Sequence, residues 1–275
     1  MSLSKQNQTV RGQAIESRAA VYGMLAQCLY YPGHEICTAL ENGKLQQLIG
    51  KFRETLPRSH RRAISPEVLC KFRYSGSGES ASRFLLTEYT KLFSLNLHCP
   101  QYEADYLAPS LDSTAHSIAS VSNMYLTFGM RLADHVTERP DHIAIELDFM
   151  YFLATKEARA FDGGQYKNRR ACRHAQAFFL KTHLLRWGYQ FARNLSRAIS
   201  CDFYNGVQSI LVSFLSAETK HLGIQLSKLP VSYSSRSTNS GVCGCATSEA
   251  ISPANPHGLV TISGIDTKGE SLKKR

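Results

Sequence analysis

The densest run of potentially reactive groups is Glu138-Arg139-Pro140-Asp141-His142-Ile143-Ala144-Ile145-Glu146-Leu147-Asp148-Phe149-Met150, four carboxylates and an imidazole within thirteen residues. In a helix, Glu146 falls one turn below His142 on the same side. Pro140 suits a first helical turn, because proline lacks the N–H that such a turn leaves unused. The spacing therefore predicts an exposed helix mouth carrying Asp141 and His142, a polar recognition point built on free backbone amides. Acids early in a helix also complement its dipole, so the same residues fit a plain capping role.

Other groups carry less chemistry. Cys243-Gly244-Cys245, with His257 twelve residues on, supplies three soft-metal ligands where four are wanted, and unpaired thiols are the default reading. A helical metalloenzyme built on His142, Glu146 and His183 lacks a full ligand set. His183, near Trp187, is expected to be an ordinary core or surface histidine. Neither a phosphate-cradling G-x-x-x-x-G-K-[ST] loop nor a G-x-G-x-x-G fingerprint is present. No cofactor is expected.

Charge is unevenly placed. The chain of 275 residues has a net charge of +10, yet Glu88 to Asp148 holds nine acids against three bases. A local charge of −6 in a basic protein suggests a cationic partner at the centre. Arg58 to Arg73 and Lys167 to Arg197 supply the rival reading, a basic helical nucleic-acid binder. Lys167, Arg169, Arg170, Arg173 and His174 are expected to form a solvated helix face. Eight scattered cysteines and a polar Met1–Val10 without an apolar region predict a soluble, unexported cytoplasmic chain with reduced thiols and no membrane insertion.

Periodicity supplies the elements that must hold these groups. Val21, Met24, Leu25, Cys28 and Leu29 predict a helix over 12–31, stopped near Pro32-Gly33. Further helices are predicted over 34–48 and 81–93, with an ordered, proline-bearing loop over 94–111. Ile118, Val121, Tyr125, Phe128 and Leu132 extend a helix from Ser113. Ile143, Leu147, Met150 and Ala154 continue the face that follows Pro140, up to Gly163-Gly164. Leu180 to Leu195 and Phe203 to Leu215 define the last two helices, ending near Gly223. The expected fold class is all-α, a helical bundle with long connecting loops. Residues 1–10 are expected to be a flexible N-terminus, 11–226 the helical domain and 227–275 a disordered tail. Within the tail, Leu259-Val260-Thr261-Ile262 is a short run able to pair as a strand.

The Glu138–Met150 passage resembles the E-[RK]-P-D-H-x-x-x-E-L-x-F-M motif of the TorD/DmsD/NarJ chaperones of molybdenum enzymes. Tyr89-Thr90-Lys91-Leu92-Phe93, followed by Cys99-Pro100-Gln101-Tyr102-Glu103-Ala104-Asp105-Tyr106, is similar to a second family passage. His183-Leu184-Leu185-Arg186-Trp187 with Phe203-Tyr204 is similar to a third. The three occur in the family's order between Ala81 and Leu215. Two departures stand out: Ser94-Leu95-Asn96-Leu97 replaces a glycine-rich step, and Leu107 follows Tyr106 where glycine is usual. The Pro-x-Tyr-Glu form resembles the branch serving type II DMSO-reductase-like enzymes.

The resemblance implies an all-helical, non-enzymatic, cytoplasmic chaperone. Its partner would be the catalytic subunit of a molybdenum oxidoreductase, bound through its twin-arginine leader or its unfinished form until the cofactor is in. The implied contact residues are Tyr89, Phe93, Pro100, Tyr102, Glu103, Tyr106, Pro140, Asp141, His142 and Glu146. Two guanidinium groups beside an apolar stretch call for carboxylates next to an apolar groove, which these residues offer.

Overall fold

A computed structural model describes residues 3–76, 78–95, 99–107, 110–134, 136–225 and 259–261. Helices dominate: α1 (Leu3–Leu29), α2 (His34–Glu41), α3 (Lys44–Thr55), α4 (Arg58–Arg61), α5 (Pro66–Cys70), α6 (Ala81–Tyr89), α7 (Ala104–Leu107), α8 (Leu111–Thr127), α9 (Ile143–Asp162), α10 (Tyr166–Thr182), α11 (Leu184–Ala198) and α12 (Asp202–His221). The expectation of an all-α bundle with long connections is met.

α9 is the centre of the bundle. Every residue from Ile143 to Met150 is buried, so this helix has no solvent face over its first two turns. It packs between α1 and α10, and α11 and α12 close the far side. The predicted apolar stripe of α1 is fully used, with Val21, Met24, Leu25, Cys28 and Leu29 all in one continuous core with Trp187, Phe191 and Phe214.

Boundaries differ from the sequence reading where glycine intervenes. The helix predicted over 34–48 is broken at Gly43, whose φ of 72° is a left-handed turn that starts α3 afresh. The helix predicted through Leu132 ends at Thr127, because Gly129 takes φ 69° and redirects the chain into a strand, β1 (Met130–Leu132). β1 pairs antiparallel with β2 (Leu259–Thr261), Leu132 opposite Leu259 and Met130 opposite Thr261. The short tail run singled out in the sequence thus finds a partner inside the bundle. The rest of the tail, with Cys243, Cys245 and His257, lies outside the described residues. At the other end, α1 begins at Leu3, nine residues ahead of the predicted Gly12.

Between α6 and the loop that follows, the chain makes one π-helical turn, Thr90–Ser94, closed by Leu95 N–H donating to the Thr90 carbonyl at 3.0 Å. The extra residue turns Phe93 onto Tyr89, Phe191 and Tyr204 and leaves Leu95 exposed. Turns of this kind are frequent at functional sites.

Candidate functional site

The loop after the π-helical turn is stapled to the start of α9. Glu103 N–H donates to the Asp141 carbonyl at 2.9 Å and Ile143 N–H to the Gln101 carbonyl at 2.8 Å, with Tyr102 bridged to His142. Asp141 Oδ2 accepts from Ala104 N–H at 3.0 Å, capping α7. Tyr106 donates to the Pro100 carbonyl, Tyr89 to Gln101 and Tyr125 to the Pro140 carbonyl, each at 2.9 Å. Tyr102, Glu103, Pro140, Asp141, His142 and Glu146 thus gather at the start of α9, with Pro100, Tyr106 and Tyr89 bonded to or within the covering loop and Phe93 packed on Tyr89.

Their exposure corrects the expectation of an open mouth. α9 begins at Ile143, not Pro140, and His142 is its cap: Nδ1 accepts from Ala144 N–H at 3.2 Å. Glu103, Asp141, His142 and Glu146 are all buried, because the 99–107 loop lies over them. On the surface above them Asp105 is exposed, and Phe93, Pro100, Tyr102, Tyr106, Glu138, Arg139 and Pro140 are half-buried around it.

That face already holds a guanidinium. Arg139 Nε donates to Asp141 Oδ1 at 2.9 Å and its terminal nitrogen to Asp141 Oδ2 at 2.8 Å, a planar two-pronged pair. The same group is 3.5 Å from Asp105 Oδ1, and its carbon sits 4.2 Å from the centre of the Tyr102 ring. Tyr102 in turn donates to Glu138. Two carboxylates and an aromatic face thus form a cage for a flat cation, and Arg139 is 36% exposed within it.

Beneath lies a buried acid pair. Glu103 Oε2 is 2.8 Å from His183 Nδ1, and Glu146 Oε2 accepts from the Trp187 indole at 3.4 Å. Each glutamate keeps one buried oxygen that no N–H or O–H of another residue meets. A single proton resolves this: burial, then the charges of Glu103 and Asp141, push Glu146 well above the usual carboxylate range, and its proton is donated to Glu103. Burial likewise pushes His142 down to about 4, which keeps the ring neutral and Nδ1 free to cap the helix. Among the described residues no group of three or more acids, histidines or cysteines is placed to hold a metal ion.

A second polar network escaped the sequence reading. Arg18 on α1 donates twice to Glu218 on α12, at 2.6 Å each, and once to Glu157 on α9 at 3.2 Å; Gln176 and Tyr22 complete the set. His60 Nε2 is 2.6 Å from Glu218. Arg169 and Arg173, expected on a solvated face, turn inward to Glu157, whereas Lys167, Arg170 and His174 are solvated as predicted. The members of this network come from α1, α4, α9, α10 and α12 with no shared motif. The one sequence signal is Arg18 within the apolar run of α1.

Comparison with known proteins agrees with this architecture. A family model described as the nitrate reductase delta subunit matches residues 35–193. The perchlorate reductase assembly chaperone protein of Dechloromonas aromatica is 24% identical over 213 residues, 76% of this chain and 92% of that protein. The chaperone protein TorD of Photobacterium profundum is 30% identical over 95 residues, 34% of this chain and 43% of that protein. The chaperone protein TorD of Vibrio parahaemolyticus is 27% identical over 95 residues, again 34% of this chain and 43% of that protein. Nothing in these matches supports the nucleic-acid reading, and among the described residues no helix is long and apolar enough to cross a membrane. With its family motifs assembled at one helix end and the family model spanning most of the bundle, the chain belongs to the nitrate reductase delta subunit family, the group of TorD- and NarJ-like chaperones that its sequence resembles.

Proposed function

We propose that the protein is an assembly chaperone for the catalytic subunit of a molybdenum oxidoreductase, holding its twin-arginine leader in the cytoplasm without any turnover of its own. The observation that carries this reading is the cage around Arg139: Asp141, Asp105 and the Tyr102 ring are arranged for a planar cation. Arg139 occupies the place that a leader guanidinium would take, and Glu138 stands ready as its relay partner. The buried layer, Glu103, Asp141, His142 and Glu146, acts by fixing the loop on α9, while Tyr102, Asp105, Glu138 and Pro140 meet the client.

Removing the resident guanidinium tests this. Arg139→Ala leaves buried Asp141 short of its partner and should lower the melting temperature. A peptide with two adjacent arginines and an apolar run should restore more stability to Arg139→Ala than to the parent protein. The same peptide with lysines should restore less, because an ammonium lacks the planar fork. Equal shifts with both peptides and both proteins would reject the cage as the client site.

A further inference from the structure

Two of the three walls of the cage belong to the loop that covers α9. Tyr102 and Asp105 lie in that loop, whereas Asp141 stands just before the helix. Backbone bonds tie the loop down at its rim, Glu103 N–H to the Asp141 carbonyl and Ile143 N–H to the Gln101 carbonyl. One side chain, Glu103, ties it from beneath. It is fully buried and meets partners on two elements: His183 Nδ1 at 2.8 Å, between α10 and α11, and the carboxyl of Glu146 on α9. Glu146 is buried as completely and accepts from the Trp187 indole.

The groups that face this pair leave it in need of one proton. Asp141 adds negative charge from the start of α9, and Arg139 is already spent on Asp141. Tyr125, from α8, is kept protonated by burial and donates to the Pro140 carbonyl. Among the described residues neither glutamate is bonded to a lysine or an arginine. With one proton between them the two acids share a hydrogen bond and a single charge; with none, two carboxylates touch in a dry site and repel. Glu146 has nowhere to go, because every residue from Ile143 to Met150 is buried. Glu103 can retreat, since its segment holds only the one-turn helix α7.

We propose that Glu103 and Glu146 form a proton latch: the shared proton holds the covering loop down and the cage complete, and its loss to solvent frees the loop and carries Tyr102 and Asp105 away from Asp141. The latch regulates the site assigned above to the client, and only that consequence rests on the chaperone reading. Because two walls of the cage leave with the proton, a guanidinium-bearing client is held below the latch's titration and let go above it. By linkage, a client that needs the closed loop also holds the proton in place.

The chain has a single tryptophan, and it touches both halves of the latch: the Trp187 indole donates to Glu146, and its ring packs on Tyr106 of the loop at 5.2 Å. Its fluorescence, followed in the full chain from about pH 6 to about 9.5, spans the values of about 8–9 known for buried glutamates. The parent should show one transition and Glu146→Gln none, because the amide keeps a donor for Glu103 but has no proton to lose. Protection of the Glu103, Ala104 and Ile143 amides, corrected for the intrinsic rise of exchange with pH, should fall about tenfold per pH unit above the transition in the parent and stay level in the variant. Amides in the middle of α12 should not respond in either. Affinity for the paired-arginine peptide should fall over the same span in the parent alone. Glu103→Gln also leaves one acid in the pair; it should stay closed, and it covers the case in which Glu146→Gln misfolds.

A transition that persists in both variants would assign the titration to another group, His183 first, and overturn the latch. Level protection of the loop amides in the parent across the whole span would overturn it too, as would loss of protection in α12 in step with the loop, which is global unfolding. A loop that opens while the peptide's affinity stays level would overturn the regulatory assignment, since the cage would then not depend on its loop walls. A peptide that binds neither protein at any pH would overturn the chaperone reading of the cage, while fluorescence and exchange still decide the latch.

Discussion

His142 and Glu146 stand one turn apart at the start of α9 and answer pH in opposite senses. His142 is pushed down by burial to about 4 from 6.5, so between those values the unfolded chain takes up a proton that the native ring refuses. Stability falls as pH drops through that window. Glu146 keeps its proton in the fold but loses it in the unfolded chain above about 4.5, so its contribution falls as pH rises. His142→Asn, which keeps a capping acceptor, should lessen the acid-side loss by up to about 1.4 kcal/mol per pH unit. His221, also pushed to about 4 by burial, leaves a residual slope. Glu146→Gln retains a donor for Glu103 and should flatten the profile above about pH 5. Melting temperatures of the three proteins against pH decide this; superimposable profiles would show that neither group titrates as described. The motifs draw attention to the start of α9 and to its covering loop, but Asp105, Glu138 and Arg139, which complete the cage, were not among the ten contact residues expected. The burial of Glu103, Asp141, His142 and Glu146 was not legible either, because the covering loop comes from 37 residues upstream and periodicity reports only the face of a single helix.

At the scale of elements, glycine decides where periodicity misleads. Phe128 and Leu132 continue the apolar step of α8, yet the helix stops at Thr127 because Gly129 adopts φ 69°. An added Cβ there would touch nothing within 4 Å, so the cost of a side chain is conformational alone. Gly129→Ala should therefore destabilise the fold by about 1–2 kcal/mol, the cost of an L-residue in the left-handed region. It should also loosen the β1 ladder that the turn launches. Denaturant melts read the first effect and amide exchange at Met130–Leu132 the second; an unchanged midpoint would mean that the turn relaxes. β1 itself was hidden because three residues flanked by a helix and a loop carry no alternation long enough to register as a strand.

Across the whole molecule, the bundle is tied at its core by charge as well as by apolar contact. Arg18 is buried with Glu157 and Glu218, and this guanidinium holds Glu218 well below the usual carboxylate range against the cost of burial. Arg18→Leu preserves much of the volume but takes from buried Glu218 its two-pronged partner, leaving it to His60 and Tyr22, and should cost about 3–5 kcal/mol. The double variant Arg18→Leu with Glu218→Gln should recover part of that loss, which equilibrium unfolding in denaturant will measure; a loss below about 1 kcal/mol for the single change would show that water or rearrangement satisfies the acids. The order and faces of the long helices could be read from apolar spacing, since each carries its own stripe into the core. This network could not, because its members lie far apart along the chain and each, taken alone, is an ordinary charged residue.

The tie between α1 and α12 also has a temporal side. Arg18 emerges from the ribosome 200 residues before Glu218, a gap of about 10–40 s at ordinary elongation rates. Throughout that interval the first helix carries an arginine in its core-facing stripe whose principal counter-ion has not been made. The native pairing of Arg18 with Glu218 can therefore close only after α12 has been made, which sets the tie between the first and last long helices among the later contacts of the fold.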